Sequence, residues 1–141
     1  MPKLSVYWVR ASLIYMGIGF LFGTLILYHK GVPTFDWAWR LLNPHIELMV
    51  FGWTMQFVMG IAFWILPRFS GKQRYGKTFL GWGSFVLLNC GIVLNVYGLW
   101  SVNPLPSLFG QLSTFGAIVV FAILIWSRVK PLGGYVASQK S

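Results

Sequence analysis

The sequence has very few acidic residues. Of its 141 residues only Asp36 and Glu47 are acidic, against eleven Lys and Arg, and charged residues make up 9% of the chain. Soluble globular proteins draw about a quarter of their residues from the charged types. Here 57% of the residues are hydrophobic and the mean hydropathy is +0.69. The composition therefore excludes a soluble domain with a water-facing surface.

Cysteine is almost absent, and the basic residues are not clustered. The single cysteine, Cys90, permits neither an intrachain disulfide nor a cysteine-ligated metal cluster. The basic residues lie between apolar blocks rather than in a stripe interleaved with polar side chains, which argues against nucleic acid as a partner. The net charge of +9 thus reflects missing acids, and we expect the lipid bilayer to be the main partner.

Long apolar runs dominate the rest of the sequence. Four stretches, at residues 11–28, 45–66, 78–100 and 105–127, approach the ~20 residues that an α-helix needs to cross a bilayer core. The first stretch is long and is followed by no signal-peptide cleavage site, so we count it as a span. We expect an all-α, polytopic membrane protein whose four transmembrane helices form a single domain over residues 1–141.

The basic residues favour one side of these spans. Nine of the eleven lie before the first span, between the second and third, or after the fourth: Lys3, Arg10, Arg68, Lys72, Arg74, Lys77, Arg128, Lys130 and Lys140. Only Lys30 and Arg40 lie in the first loop. The positive-inside rule therefore predicts that both termini are cytoplasmic, and we expect the inner membrane of a prokaryote.

Tryptophans mark the ends of the expected spans. The five concerned are Trp8, Trp37, Trp39, Trp100 and Trp126. Amphipathic aromatic rings are enriched at the two membrane–water interfaces. The positions of these rings predict an aromatic belt at each interface.

The second span carries the residues with the most distinctive chemistry. Asn43 and Pro44 predict a helix start, with Asn as the side-chain cap and Pro at the first helical position. At about 100° per residue, one stripe of this helix contains His45, Met49, Gly52, Gln56, Gly60 and Phe63. An imidazole above two glycines offers a metal ligand beside room for a flat ring. The alternatives are a histidine hydrogen-bonded to a neighbouring helix or to water, and glycines that serve close helix packing.

This region also resembles a known family. The runs HIELMVFGW at 45–53 and GIAFWILPRF at 60–69 are similar to the second transmembrane helix of the haem-copper oxidase subunit I superfamily. The resemblance is closest to the cytochrome oxidase and nitric oxide reductase branches and to small subunit-I-like proteins. It implies that His45 is an axial ligand of a low-spin haem, which we expect to be haem b.

Two departures from the family limit what the resemblance implies. Glu47 stands where the family has His or Asn two positions after the ligand, and the spans after the second contain no histidine. The family's copper site needs three histidines from other helices. We therefore expect that this chain alone is not a complete oxygen or nitric oxide reductase.

The second axial ligand of the expected haem is not in the motif. A low-spin haem usually takes two axial ligands. The family's three similar four-helix arcs imply that His45 of a second copy could supply it, in a homodimer or trimer. The alternatives are His29, at the end of the first span, and a histidine of a different subunit.

Several neighbouring residues are candidates for contact with the cofactor. Met49, Gly52, Gln56 and Gly60 would line it, although Met49 is a common packing residue. Arg40 would pair with the haem propionates or anchor the chain at the interface.

Glu47 is a separate functional candidate. An acid at membrane depth serves proton exchange or hydrogen bonding to a quinol, unless it merely complements the positive end of the helix dipole. The polar residues Asn89, Asn95 and Gln111 are expected to join helices.

The expected function is respiratory electron transfer by a b-type haem protein, with quinone as a further partner. The alternatives are a haem-free structural or assembly subunit of a larger respiratory complex, and haem-based gas binding.

Overall fold

The computed structural model describes residues 1–66, 78–126 and 128–129, and the regular elements within these ranges are all helical. Four helices are long and apolar enough to cross a membrane: Lys3–Gly31, Ala38–Ile65, Thr78–Ser101 and Pro104–Trp126. They are called the first to fourth helices below. Their presence confirms the expected all-α, four-span fold class and indicates an integral membrane protein. Outside the described residues lie Arg68, Lys72, Arg74, Lys77, Lys130 and Lys140, the motif residues 67–69, and position 127 of the last span.

The second helix is not a uniform α-helix. It opens with a 3₁₀ turn, Ala38–Leu41, continues as α-helix Leu42–Glu47, widens into π-helix at Leu48–Met55 and returns to α-helix at Gln56–Ile65. In the wide segment the Thr54 hydroxyl donates to the carbonyl oxygen of Met49, five residues earlier, at 2.9 Å. A π-helical segment of this kind is often found at functional sites.

The second helix begins earlier than the sequence predicts. Asn43 and Pro44 lie inside the helix, and no side chain caps its start, so the predicted Asn cap is wrong. Burial of Ala38 and Leu41 holds the preceding 3₁₀ turn against the bundle. Pro44 is tolerated because the first-turn N–H groups of an α-helix have no intrahelical partner.

The turn between the third and fourth helices uses an Asn-Pro pair as a helix start. The side-chain oxygen of Asn103 accepts a hydrogen bond from the Leu105 N–H at 3.1 Å, and Pro104 is the first helical residue. Before it, Val102 adopts a left-handed conformation with φ of 57°, and the Asn103 N–H donates to the Gly98 carbonyl at 3.0 Å. This bonding pattern closes the carboxyl end of the third helix.

The third and fourth helices pack backbone against backbone. A Cβ at Gly98 would lie 2.5 Å from the Ser107 nitrogen, and a Cβ at Gly110 would lie 2.5 Å from the Asn95 nitrogen. The Ser84 hydroxyl also donates to the Ala117 carbonyl at 2.7 Å. Small residues thus let these two helices form a tight antiparallel pair.

Trp8 belongs to the core rather than to an aromatic belt, which corrects the prediction for this residue. It is fully buried, and its ring contacts Phe85 and Phe121 at centroid distances of 5.3 and 5.7 Å. The cause is its position on the face of the first helix that packs into the bundle. The other four tryptophans of the expected belts, Trp37, Trp39, Trp100 and Trp126, are exposed.

Candidate functional site

His45 and Glu47 lie near the same end of the bundle, which also contains His29 and Trp100 and is called the histidine end below. Residues two positions apart in an α-helix are separated by about 200° around its axis. Accordingly, the His45 ring contacts the first helix, whereas Glu47 lines a cavity with residues of the third and fourth helices. His45 and Glu47 thus lie on opposite faces, and the second helix has two chemically different faces.

A single hydrogen bond orients the half-buried ring of His45. Its Nδ1 lies 2.7 Å from the carbonyl oxygen of Gly19. Because a carbonyl oxygen only accepts, Nδ1 must carry the hydrogen, and the neutral ring then has its lone pair on Nε2. A backbone carbonyl on the second ring nitrogen is a common feature of metal-ligating histidines, since it fixes the tautomer and the ring orientation. The donor set at His45 therefore fits an axial ligand of haem iron.

Gly23 makes the approach of the imidazole to the first helix possible. A Cβ at Gly23 would lie 2.9 Å from Cε1 of His45 and 3.6 Å from its Nε2. Any larger residue would push the ring away from the Gly19 carbonyl. This glycine of the first helix is thus a positioning residue for His45.

The predicted cofactor-lining stripe also faces the first helix, and its hollows are filled by side chains. A Cβ at Gly52 would lie 2.8 Å from Cγ of Tyr15, and a Cβ at Gly60 would lie 2.7 Å from Cβ of Trp8. In the same way, Met49 fills the hollow at Gly19. These glycines serve close packing in this arrangement, and a flat ring would enter only if Tyr15 or Trp8 moved aside.

Gln56 is the unusual member of the stripe. Its side chain is fully buried, and neither its amide oxygen nor its amide nitrogen has a hydrogen-bond partner within the described ranges. Burying an unsatisfied amide destabilises a fold by about 1–3 kcal/mol. Packing alone therefore does not explain why a glutamine occupies position 56.

The Nδ1 atom of His29 accepts a hydrogen bond, whereas that of His45 donates one. The side chain of His29 is 9% exposed, and its Nδ1 accepts a hydrogen bond from the Phe35 N–H at 3.1 Å. The lone pair on Nδ1 is thus in use, and the neutral ring carries its hydrogen on Nε2. His29 also lies six residues beyond Gly23, about 9 Å further along the helix. The structure therefore gives His29 the role of fastening the first loop.

Arg40, in the 3₁₀ turn that opens the second helix, contacts the carboxyl end of the third helix. Its guanidinium donates to the Trp100 carbonyl at 2.8 Å and stacks over the Trp100 ring at 5.3 Å. At the opposite end of the bundle, Arg128 donates to the carbonyls of Phe63 and Leu66 at 3.0 and 2.7 Å. Each arginine satisfies carbonyls that the end of a helix leaves without a partner. Arg40 thus has a structural role, and its side chain is exposed.

Glu47 faces a cavity of about 270 Å³ between the second, third and fourth helices. Glu47 is buried, with 8% of the residue exposed, and Asn95 lines the same cavity. The Ser107 hydroxyl donates to the Asn95 side-chain oxygen, so the amide nitrogen is the part of Asn95 that remains a donor. Other residues that line the cavity are Phe51, Gln111, Thr114, Phe115 and Ile118.

Asn95 and Gln111 are site residues that the sequence identified only as links between helices. Asn95 does link the third helix to Ser107 of the fourth, and Asn89 accepts a hydrogen bond from Tyr15 of the first helix at 2.9 Å. Gln111, however, is exposed on the surface of the bundle and lines the cavity of Glu47. The signal in the sequence that could have identified both residues as part of a site was a polar amide side chain within an otherwise apolar span.

Comparison with known proteins adds no identity to this geometry, since no protein-family model, curated protein or solved structure matches the chain.

Proposed function

We propose that this chain is a membrane-bound b-type haem protein of respiratory electron transfer, with His45 as an axial ligand of the haem iron. The observation that carries the proposal is the hydrogen bond from His45 Nδ1 to the Gly19 carbonyl. It fixes the tautomer that leaves the Nε2 lone pair for a metal. The resemblance of the surrounding motif to the haem-copper oxidase family supports the same assignment. When bound, haem b supplies one-electron exchange at its iron.

The second axial ligand comes from a second copy of the chain in this proposal. His29 uses its Nδ1 lone pair to accept from Phe35, and the sequence contains no third histidine. A half-buried His45 can meet the equivalent residue of another copy in a closed homo-oligomer, a dimer or a trimer. Arg40 remains exposed at the same end of the bundle, where a guanidinium can pair with anionic propionates.

The membrane and its sidedness are part of the proposal. Nine of the eleven basic residues occur on the side of the spans that holds the termini. The positive-inside rule then supports cytoplasmic termini and a histidine end on the outer face of a prokaryotic inner membrane. Electrons would be exchanged with a partner at that face.

The test is the optical spectrum of the protein purified from cells supplied with haem. We expect a low-spin b-type spectrum for the wild type and for His29→Ala, and loss of bound haem in His45→Ala with helix content unchanged. In a homo-oligomer His45→Ala removes both axial ligands at once, whereas His29 holds only the first loop. A wild type without a Soret band, or a His45→Ala protein that retains its haem, would contradict the proposal. So would a five-coordinate spectrum that shifts with carbon monoxide, which would instead indicate gas binding.

A haem-free structural or assembly subunit of a larger respiratory complex is the second candidate. The observation in its favour is that Tyr15 and Trp8 already fill the hollows at Gly52 and Gly60. Purification from native membranes separates the two candidates. A stoichiometric partner protein together with absence of iron supports the structural subunit, and iron at a fixed ratio to the chain supports the haem protein.

A further inference from the structure

The cavity at Glu47 is accessible from the side of the bundle. Gln111 and Phe115 line it and are both exposed, Phe115 by 68%. In an apolar helix of this length, exposed residues face lipid. Asn95 lies six residues before the end of the third helix, about 9 Å along its axis. A molecule dissolved in the bilayer can therefore enter the cavity below the interface without crossing water.

The polar groups of the cavity select for hydrogen-bonding ligands. The Glu47 carboxyl and the Gln111 amide provide acceptors, and the Gln111 amide also provides donors. A divalent cation is a poor match because calcium and magnesium take six or more oxygen ligands, and the Asn95 oxygen is already used by Ser107. A neutral molecule with hydroxyl groups suits this set of donors and acceptors better.

The aromatic lining of the cavity favours a flat ring. Phe51 and Phe115 lie on the second and fourth helices and both line the space, together with Ile118. Aromatic walls favour stacked or edge-on contact with another ring. The volume of about 270 Å³ is sufficient for the ring of a small aromatic ligand.

We propose that this cavity binds the ring of a membrane-dissolved hydroquinone, with one hydroxyl hydrogen-bonded to Glu47 and the other to Gln111. The site is separate from His45, which faces the first helix, and binding does not require haem. It gives the exposed amide of Gln111 and the buried carboxyl of Glu47 a ligand that suits both.

The experiment measures binding of trimethylhydroquinone, kept reduced under argon, to the full chain in lipid nanodiscs by titration calorimetry. The matched ligand is its dimethyl ether, which has the same ring but no O–H donors. We expect the hydroquinone to bind the wild type at least tenfold more tightly than the ether, because only the hydroquinone can donate a hydrogen bond to the carboxyl group of Glu47. Equal affinities for the two ligands would overturn the proposal.

Three variants locate the site. Glu47→Leu should weaken hydroquinone binding about tenfold or more and leave the binding of the ether unchanged. Phe115→Ala should weaken both ligands, whereas Phe109→Ala, on the exposed surface of the same helix but outside the cavity, should weaken neither. Helix content and thermal midpoint establish that each variant is folded. If folded Glu47→Leu binds the hydroquinone as tightly as the wild type, or if Phe109→Ala weakens binding as much as Phe115→Ala, the proposal is wrong.

Discussion

The two antiparallel helix pairs of the bundle use glycine in different ways. Between the first and second helices, the space at Gly19, Gly52 and Gly60 is occupied by side chains of the opposite helix. Between the third and fourth helices, Gly98 and Gly110 face backbone atoms. The same residue type thus creates hollows that hold side chains in one pair and direct contact of main chains in the other.

This difference shows which half of the molecule can rearrange around a ligand. A side chain such as Met49 can change rotamer and vacate a hollow, because a thioether on a long unbranched chain adapts to its surroundings. A helix backbone in van der Waals contact can separate only if the whole helix shifts. We therefore regard the third and fourth helices as the rigid scaffold, and the first and second as the pair whose side chains can rearrange.

The largest effect is expected for Gly110→Ala in the rigid pair. The added Cβ would lie 2.5 Å from the Asn95 nitrogen and 2.7 Å from the Gly91 carbonyl. Because neither atom belongs to a movable side chain, we expect a loss of about 3 kcal/mol in the free energy of unfolding. Reversible unfolding in mixed micelles, followed by circular dichroism, measures it.

The control for this substitution is Gly83→Ala on the third helix, where nothing lies within 4 Å of the added Cβ. It should leave stability unchanged or raise it through helix propensity. Similar losses for Gly110→Ala and Gly83→Ala would refute the backbone contact between the third and fourth helices.

A smaller effect is expected for Gly19→Ala in the adaptable pair. The added Cβ would lie 2.5 Å from the Met49 sulfur, and this atom can move away. We expect a loss of about 1 kcal/mol, and we expect Gly19→Ala to cost less when Met49→Ala is also present, because the two side chains compete for one space. The same unfolding measurement on the four proteins of the cycle gives the coupling energy. Strict additivity would show that Met49 does not occupy the hollow.

Much of the fold could be predicted from the sequence, because span length and apolar composition are local properties. The helix ends were less predictable. The dipeptide Asn-Pro occurs at 43–44 and at 103–104, and only Asn103 caps a helix, because burial of Leu41 extends the second helix past the earlier pair. The π-helical stretch of the second helix and the burial of Trp8 depend on packing between helices, which local patterns do not report.

The candidate site was partly predictable for the same reason. The helical period places His45 and Glu47 on opposite faces of one helix, as the structure shows. The partners of these side chains come from distant parts of the chain: Gly19 and Gly23 for His45, Asn95 and Gln111 for Glu47. No local pattern pairs residues of different helices.

The most direct test of the central claim is to detect the nitrogen atoms bound to the iron. Pulsed electron paramagnetic resonance of the oxidised protein, grown with isotope-labelled histidine, distinguishes histidine nitrogen from porphyrin nitrogen. The account predicts coupling of labelled histidine nitrogen to a low-spin ferric centre in the wild type and in His29→Ala, and its absence in His45→Ala. Bound haem without histidine coupling in the wild type, or coupling that survives in His45→Ala, would contradict it.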